Sequence, residues 1–220
     1  MISKNMKYVI PLTLIFTLFA GCATIQLGGG LSNEAANSTP GVPREVISPE
    51  IRRLLESARQ QTQVTKNYSQ QYFVIGYPNG DVPADTGACS DVIIRSFRAA
   101  GVDLQKEVHE DMRKNFSQYP SKRGLKSTDT NIDHRRVPNL RTFFTRRGKS
   151  LPVTADAADY YPGDIVTWDL NGKGMTHIGI VSGQKDESTG RPFIYHNIGG
   201  GTQLEDRLFE WKITGRYRYF

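Results

Sequence analysis

The feature that most constrains the fold is a change in sequence pattern halfway along the chain. The first half shows apolar residues at helical spacing, whereas the second half has short β-branched or aromatic runs separated by glycine-bearing turns. Four such runs lie at residues 165–168, 178–181, 193–196 and 217–220. Helices followed by strands predict an α+β fold, with N-terminal helices packed on a C-terminal antiparallel sheet. With 220 residues, of which 38% are hydrophobic, the chain is long enough for one domain with a core.

Capping residues mark the expected helix starts in the first half. Ser48 followed by proline is typical of a helix N-terminus, and this helix is expected to end near Lys66. Asp103 can cap another helix, and a further one is expected from about Pro138 to Gly148. The sequence therefore predicts several separate helices before the sheet begins.

The amino terminus has the pattern of an export signal. Lys4 and Lys7 precede an apolar run at residues 8–20, which is too short to span a bilayer as a stable helix. Small residues directly before Cys22 resemble a bacterial lipoprotein processing site, where the new N-terminal cysteine is acylated. The alternative is an ordinary signal peptide cleaved nearby, with Cys22 incidental.

These patterns divide the chain into three parts. Residues 1–21 are expected to be a lipoprotein signal peptide, residues 22–45 a flexible tether rich in Gly, Ser, Asn and Pro, and residues 46–220 a single folded domain. We therefore expect a protein of the bacterial cell envelope that faces the periplasm and is anchored to the membrane through lipidated Cys22. Export also argues against nucleic acid as a partner.

Cys89 is the only cysteine downstream of Cys22, and it lies where a helix is expected to begin. Val92 and Ile93 share its helix face, and Gly101 marks the C-terminal end. The helix dipole and the unpaired amides of a first turn favour a thiolate and can bind an oxyanion. The alternative is a buried cysteine that only packs. If Cys22 is lipidated, Cys89 has no cysteine left with which to form a disulfide.

Two histidines lie in the predicted sheet. His177 opens one strand and His196 ends the next, so antiparallel pairing brings both to the same end of the sheet. A nucleophilic cysteine needs a base, and the base needs a third polar group that fixes its tautomer. Cys89, His177 and His196 supply one residue for each of these roles, and Asn197 is an alternative orienting group. Each histidine could instead be a satisfied polar residue at a strand end. Paired metal-ligand spacing is absent from the sequence, so neither a metal site nor a cofactor is predicted.

Further site candidates lie in turns and loops. Tyr77 is in a predicted turn, where its hydroxyl could reach the site or its ring could simply pack. Residues 131–136 combine an aspartate with His134, Arg135 and a further arginine. This cluster is either a solvated surface or one wall of a substrate cleft that binds carboxylates.

The order of these parts resembles the NlpC-type cell-wall peptidases, which belong to a papain-like clan. The resemblance rests on the sequence around Cys89 and on residues 161–166, 177–183 and 195–196. More narrowly, residues 72–220 are similar to an uncharacterised bacterial envelope family exemplified by YijF, with residues 131–140 and 196–199 as its signatures.

The resemblance implies a papain-like fold and a role for each matched residue. Cys89 would be the nucleophile, His177 the base and His196 the orienting third member, with Tyr77 near the oxyanion site. The chain departs from the pattern at Ala88, where an aspartate usually precedes the cysteine, and it carries Asp91 two residues after the cysteine.

NlpC-type enzymes hydrolyse amide bonds in peptidoglycan stem peptides through a thioester with the enzyme. The resemblance thus implies a cysteine hydrolase of the cell envelope, whose partners are peptidoglycan peptides or another anionic envelope polymer. The net charge of +6 is in keeping with such partners. Two alternatives stay open: an acyl-transferring or ester-cleaving enzyme with the same triad, and a non-catalytic wall-binding lipoprotein. Lipid-acting relatives usually carry the histidine before the cysteine, whereas here Cys89 precedes His177.

Overall fold

The structure is a computed structural model that describes residues 47–120 and 126–220. The predicted signal peptide, the predicted tether and Cys22 lie outside the described residues, as do Lys122 and Arg123 of the charged loop. In the described part, no helix is both long and apolar enough to cross a membrane.

The α-helices of the described part all precede the main sheet. They are α1 (Pro49–Val64), α2 (Cys89–Ala99), α3 (Leu104–Lys114) and α4 (Val137–Arg146). The caps predicted at Ser48 and Asp103 are confirmed: the Ser48 hydroxyl accepts a hydrogen bond from the Ile51 amide at 3.2 Å, and the Asp103 carboxylate accepts one from the Gln105 amide at 3.0 Å.

A six-stranded antiparallel sheet follows the helices. Its strands, in the spatial order β3-β8-β4-β5-β6-β7, are β3 (Ser150–Leu151), β4 (Ile165–Asp169), β5 (Thr176–Lys185), β6 (Pro192–Asn197), β7 (Thr202–Glu205) and β8 (Lys212–Tyr217). The first three predicted runs are confirmed as β4, β5 and β6. The fourth was wrong in position, since β8 ends at Tyr217, and the edge strand β7 was not predicted.

The core lies between the helices and one face of this sheet. Phe97 of α2 packs on Phe144 of α4 with ring centroids 5.6 Å apart, and both are fully buried with Ile178 and Ile180 of β5. A second apolar cluster around Trp168 covers the opposite face. The predicted α+β class, with N-terminal helices packed on a C-terminal antiparallel sheet, is confirmed.

A short parallel pair leads the chain into α2. Strand β1 (Asn67–Tyr68) pairs with β2 (Thr86–Gly87), and α2 begins two residues after β2. On its other side α2 packs against β5 and β6, which carry the two histidines. Gly179 permits the close approach of β5 to β6, because a Cβ there would lie 2.6 Å from a side-chain carbon of Ile194. The fold therefore places the start of α2 beside the histidine end of the sheet.

Candidate active site

Cys89 is the first residue of α2, as predicted, and its thiol lines a cavity of about 440 Å³. The backbone N–H groups of Ile178, Ser90 and Cys89 itself interact with the sulfur and favour its ionised form. Burial acts in the opposite direction and prevails, since Cys89 is only 6% exposed, and it raises the pKa of the thiol to about 12. The expectation of a helix-stabilised thiolate is therefore wrong for the free protein, because burial outweighs the helix start.

A buried ion pair holds the start of α2 in place. The Asp91 carboxylate accepts hydrogen bonds from Arg135 Nε at 2.8 Å and Nη2 at 2.9 Å, and from the Ala88 amide at 2.6 Å. Ala88 has no side chain with which to cap the helix, so Asp91 satisfies that amide from within the first turn. Arg135 also donates to the Gln71 carbonyl at 2.9 Å. Asp91 thus ties the start of α2 to the segment that carries Arg135.

The two imidazoles meet at the predicted end of the sheet. His177 Nε2 and His196 Nδ1 are 2.8 Å apart, and His196 Nε2 lies 3.0 Å from a Glu205 carboxylate oxygen. Both histidines are buried, and the indole rings of Trp168 and Trp211 lie 5.8 Å from the ring of His177. Three polar side chains from β5, β6 and β7 therefore form one hydrogen-bonded line inside an apolar enclosure.

Burial also affects the protonation states of His177, His196 and Glu205. It lowers the pKa of His177 to about 3, and it lowers the pKa of His196 although the Glu205 carboxylate opposes the shift. Burial would raise the pKa of Glu205, but hydrogen bonds from Arg207 and His196 and the positive charge of Arg207 hold it below its ordinary value. At neutral pH both imidazoles are therefore neutral, and the carboxylate is ionised.

The hydrogen-bond line then assigns the tautomers. A carboxylate can only accept, so His196 carries its proton on Nε2, and its Nδ1 must accept from His177 Nε2. The lone pair of His177 is therefore on Nδ1, which has no hydrogen-bond partner among residues 47–120 and 126–220. Ile178, whose amide interacts with the Cys89 sulfur, is the residue directly after His177. A basic nitrogen and a thiol thus lie on neighbouring elements without a hydrogen bond between them.

The remaining predicted site residues have other positions. Tyr77 is 41% exposed and packs its ring edge-on against His109 at 5.4 Å, away from the cavity of Cys89. The tyrosine beside the cysteine is Tyr68 of β1, which lines that cavity and whose pKa is raised by burial. The expectation that Tyr77 contacts the oxyanion site is therefore wrong, because the turn that carries it packs on α3.

Asn197 is a structural residue in this arrangement. Its buried side-chain amide donates to the carbonyl of Gly87 at 2.9 Å and to that of Asn67 at 3.4 Å, which ties β6 to the short strands before α2. It makes no hydrogen bond to His177 in the described part of the chain. The alternative of Asn197 as the orienting group, or as a substrate contact, is therefore wrong.

His134 and Arg135 are buried, so the interpretation of this segment as a solvated surface is wrong for both. Arg135 lines the cavity of Cys89, but Asp91 engages its guanidinium. His134 does not line the cavity, and burial, aided by the charge of Arg135, lowers its pKa to about 3. A substrate contact by His134 is thus not supported by its position.

The sequence reasoning missed Glu205 and Tyr68. Both lie in strands of four residues or fewer, which are too short for a clear alternating pattern. A search of the sequence after His196 for an acidic residue could have identified Glu205. In the described residues, no group of three or more His, Cys, Asp or Glu side chains is placed to hold a metal ion.

Comparisons with known proteins give one extensive sequence match. A family model described as "Domain of unknown function (DUF1287)" matches residues 55–219. The chain is 50% identical over 204 residues to "Uncharacterized protein YijF" of Escherichia coli (strain K12), a match that covers 91% of this chain and 98% of that protein.

Two solved structures match this chain at low similarity. NlpC1 from Trichomonas vaginalis is 15% identical with a TM-score of 0.41, and the match covers 80% of this chain and 46% of that one. A Staphylococcus aureus protein described as similar to lipoprotein, of the NLP/P60 family, is 13% identical with a TM-score of 0.41, covering 82% and 44%. The chain spans less than half the length of either protein.

Proposed function

Because the chain belongs to the DUF1287 family, whose function is unknown, we propose its activity from the site itself: a cell-envelope cysteine hydrolase that cleaves amide bonds in peptidoglycan stem peptides. Its membership, together with the match to YijF, confirms the predicted relationship to that family. The observation that carries the proposal is the hydrogen-bonded line from Glu205 through His196 to His177, because the amide of the next residue, Ile178, contacts the Cys89 sulfur.

The line gives each residue a chemical role. Glu205 fixes His196, and His196 fixes His177 with its lone pair on Nδ1, the nitrogen that can accept the Cys89 proton. The Cys89 sulfur attacks the carbonyl carbon while its proton moves to His177, and the carbonyl electrons move onto oxygen. The amides of the first turn of α2 bind this oxyanion.

Collapse of the tetrahedral adduct completes the first half-reaction. The carbon–nitrogen bond breaks, the departing amine takes the proton from His177, and a thioester to Cys89 remains. Water then attacks the thioester while His177 accepts one of its protons. The carbon–sulfur bond breaks, the proton returns to the sulfur, and the product leaves as a carboxylic acid, which loses its remaining proton to solvent at neutral pH. The reaction needs no cofactor.

The neutral resting state determines the timing of proton transfer. With the pKa of Cys89 raised to about 12 and that of His177 lowered to about 3, the thiol and imidazole do not exchange a proton in the empty site. We therefore place the transfer within the attack on the substrate, as general-base catalysis.

Two further observations support a peptidoglycan substrate. The sequence resembles the NlpC-type peptidases in the order of cysteine and histidines, and its amino terminus has the pattern of an exported lipoprotein. The described residues that line the cavity include no Asp or Glu, which suits an anionic peptide. Lipid attachment at Cys22 would hold the enzyme at the membrane, facing the periplasm.

The test compares the wild-type protein with Cys89→Ala and His177→Asn on defined muropeptides, with products identified by mass. We expect cleavage by the wild type only. His109→Asn is the matched control: its amide can replace the imidazole Nδ1 that contacts Asp133 at 3.1 Å, so activity should be retained. Cleavage by Cys89→Ala would contradict the mechanism. Acyl transfer instead of hydrolysis would favour the transferase alternative, and binding without turnover would favour the wall-binding lipoprotein.

A further inference from the structure

Two arginines line the cavity of Cys89, and Arg136 differs from Arg135 in its contacts. Arg136 is partly buried, lies at the N-cap of α4 and lines the same cavity as the thiol. Its guanidinium makes no hydrogen bond or ion pair in the part of the chain that the structure describes.

Arg136 differs in this respect from the other buried arginines of the described residues. Every other arginine that is partly or fully buried in the described residues has a hydrogen-bond or ion-pair partner. These are Arg95, Arg98, Arg135, Arg141, Arg191, Arg207, Arg216 and Arg218. The contrast is sharpest with the adjacent Arg135, which Asp91 neutralises through two hydrogen bonds. A guanidinium that lines a cavity without a counter-ion is available to bind an anionic ligand.

The chemistry of the cavity narrows the choice of ligand. A guanidinium binds a carboxylate through two parallel hydrogen bonds, and no carboxylate of the described lining residues competes for it. The cavity volume of about 440 Å³ lies within the usual range for small-molecule sites.

We propose that Arg136 binds a free carboxylate of the peptide, next to the amide that Cys89 attacks. This inference rests on the proposed function, and it specifies the substrate class as peptides with an unamidated carboxylate beside the scissile bond. Arg136 is then the residue that selects the substrate, while Arg135 holds the nucleophile's helix.

The experiment uses a tetrapeptide stem and derivatives in which each of its carboxylates is converted singly to a carboxamide. Cleavage is measured for the wild type, Arg136→Gln, Arg136→Lys and Arg113→Gln. Arg113 is an exposed arginine of α3 outside the cavity, so its replacement controls for the loss of one positive charge. Binding of the same peptides to Cys89→Ala, with and without Arg136→Gln, is measured by calorimetry.

For the wild type, amidation of one carboxylate should lower kcat/KM about 10- to 100-fold, the usual effect of losing a charged hydrogen bond. Arg136→Gln should show the same loss on the free acid, mostly in KM, and no further loss on that amide. Arg136→Lys should fall between, and Arg113→Gln should match the wild type. Equal cleavage of every derivative by the wild type, or an equal loss with Arg136→Gln on acid and amide, would overturn the assignment.

The binding arm separates this inference from the proposed function. If Cys89→Ala binds the acid better than the amide, and Arg136→Gln removes the difference, the carboxylate site stands even where no peptide is cleaved. If peptides are cleaved but Cys89→Ala binds the acid and the amide with equal affinity, the hydrolase proposal stands and the carboxylate-site proposal is wrong. Should Arg136→Gln fail to fold, the comparison of acid with amide on the wild type still decides the substrate class.

Discussion

Replacement of His134 should remove a defined part of the protein's acid sensitivity. This imidazole is 1% exposed, its Nδ1 has no hydrogen-bond partner among the described residues, and burial lowers its pKa from 6.5 to about 3. Its folded-state pKa is thus below the unfolded value, so the unfolded chain binds a proton first as the pH falls. The stabilising contribution is therefore complete above about pH 6.5 and is lost progressively down to about pH 3.

The size of the loss follows from this shift. At about pH 5 the unfolded histidine is almost fully protonated, whereas the folded one is still neutral. The protonation free energy of the unfolded state is then RT ln(1 + 10^1.5), or about 2 kcal/mol, and the folded state has no matching gain. The result at this pH is insensitive to the exact folded-state pKa, as long as that pKa stays well below 5.

The assay is urea unfolding of the wild type and His134→Gln at about pH 7 and about pH 5. The fall in free energy of unfolding between these pH values should be about 2 kcal/mol smaller in the variant. Each protein is its own reference, so any cost of the substitution at neutral pH cancels. If His134→Gln does not fold, His134→Phe serves the same comparison. An equal fall in both proteins would refute the claim that His134 is buried in its neutral form.

Two further predictions concern the site itself. Glu205→Gln removes the charge that fixes His196, so kcat on the cleaved muropeptide should fall about 10- to 100-fold with KM little changed; an unaltered kcat would mean that the line of histidines ends at His196. Asp91→Asn leaves the buried guanidinium of Arg135 without a counter-charge, so urea unfolding at neutral pH should show a loss of about 3 kcal/mol or more; a loss below about 1 kcal/mol would mean that this pair does not anchor α2.

The parts of the fold that were predictable depend on local signals. Ser48 and Asp103 cap their own helices within three residues, so the sequence alone indicates both starts. The strands β4, β5 and β6 are rich in β-branched and aromatic residues, and this composition is also a local signal that predicts them from the sequence. By contrast, Glu205 lies in a four-residue edge strand of mixed polarity, which has no recognisable pattern.

The parts of the site that were missed depend on distant contacts. Asp91 and Arg135 are 44 residues apart, and the sequence offers no local sign that they pair. Two arginines in succession look equivalent in the sequence, yet only Arg135 meets a carboxylate. The same reasoning applies to Tyr68 and Tyr77, since only the pairing of β1 with β2 shows which of them borders the cysteine.

In the proposed mechanism, the charges around the cysteine link substrate recognition to the chemical step. Burial keeps Cys89 and His177 neutral, and Asp91 cancels Arg135, so Arg136 carries the uncompensated charge among the described lining residues. In the proposed complex, the peptide whose carboxylate pairs with Arg136 would displace water from the cavity. Because electrostatic interactions strengthen as water leaves, the first-turn amides then stabilise the oxyanion more strongly than they do in the open cavity. Peptides that lack the carboxylate should for this reason lose some kcat as well as affinity.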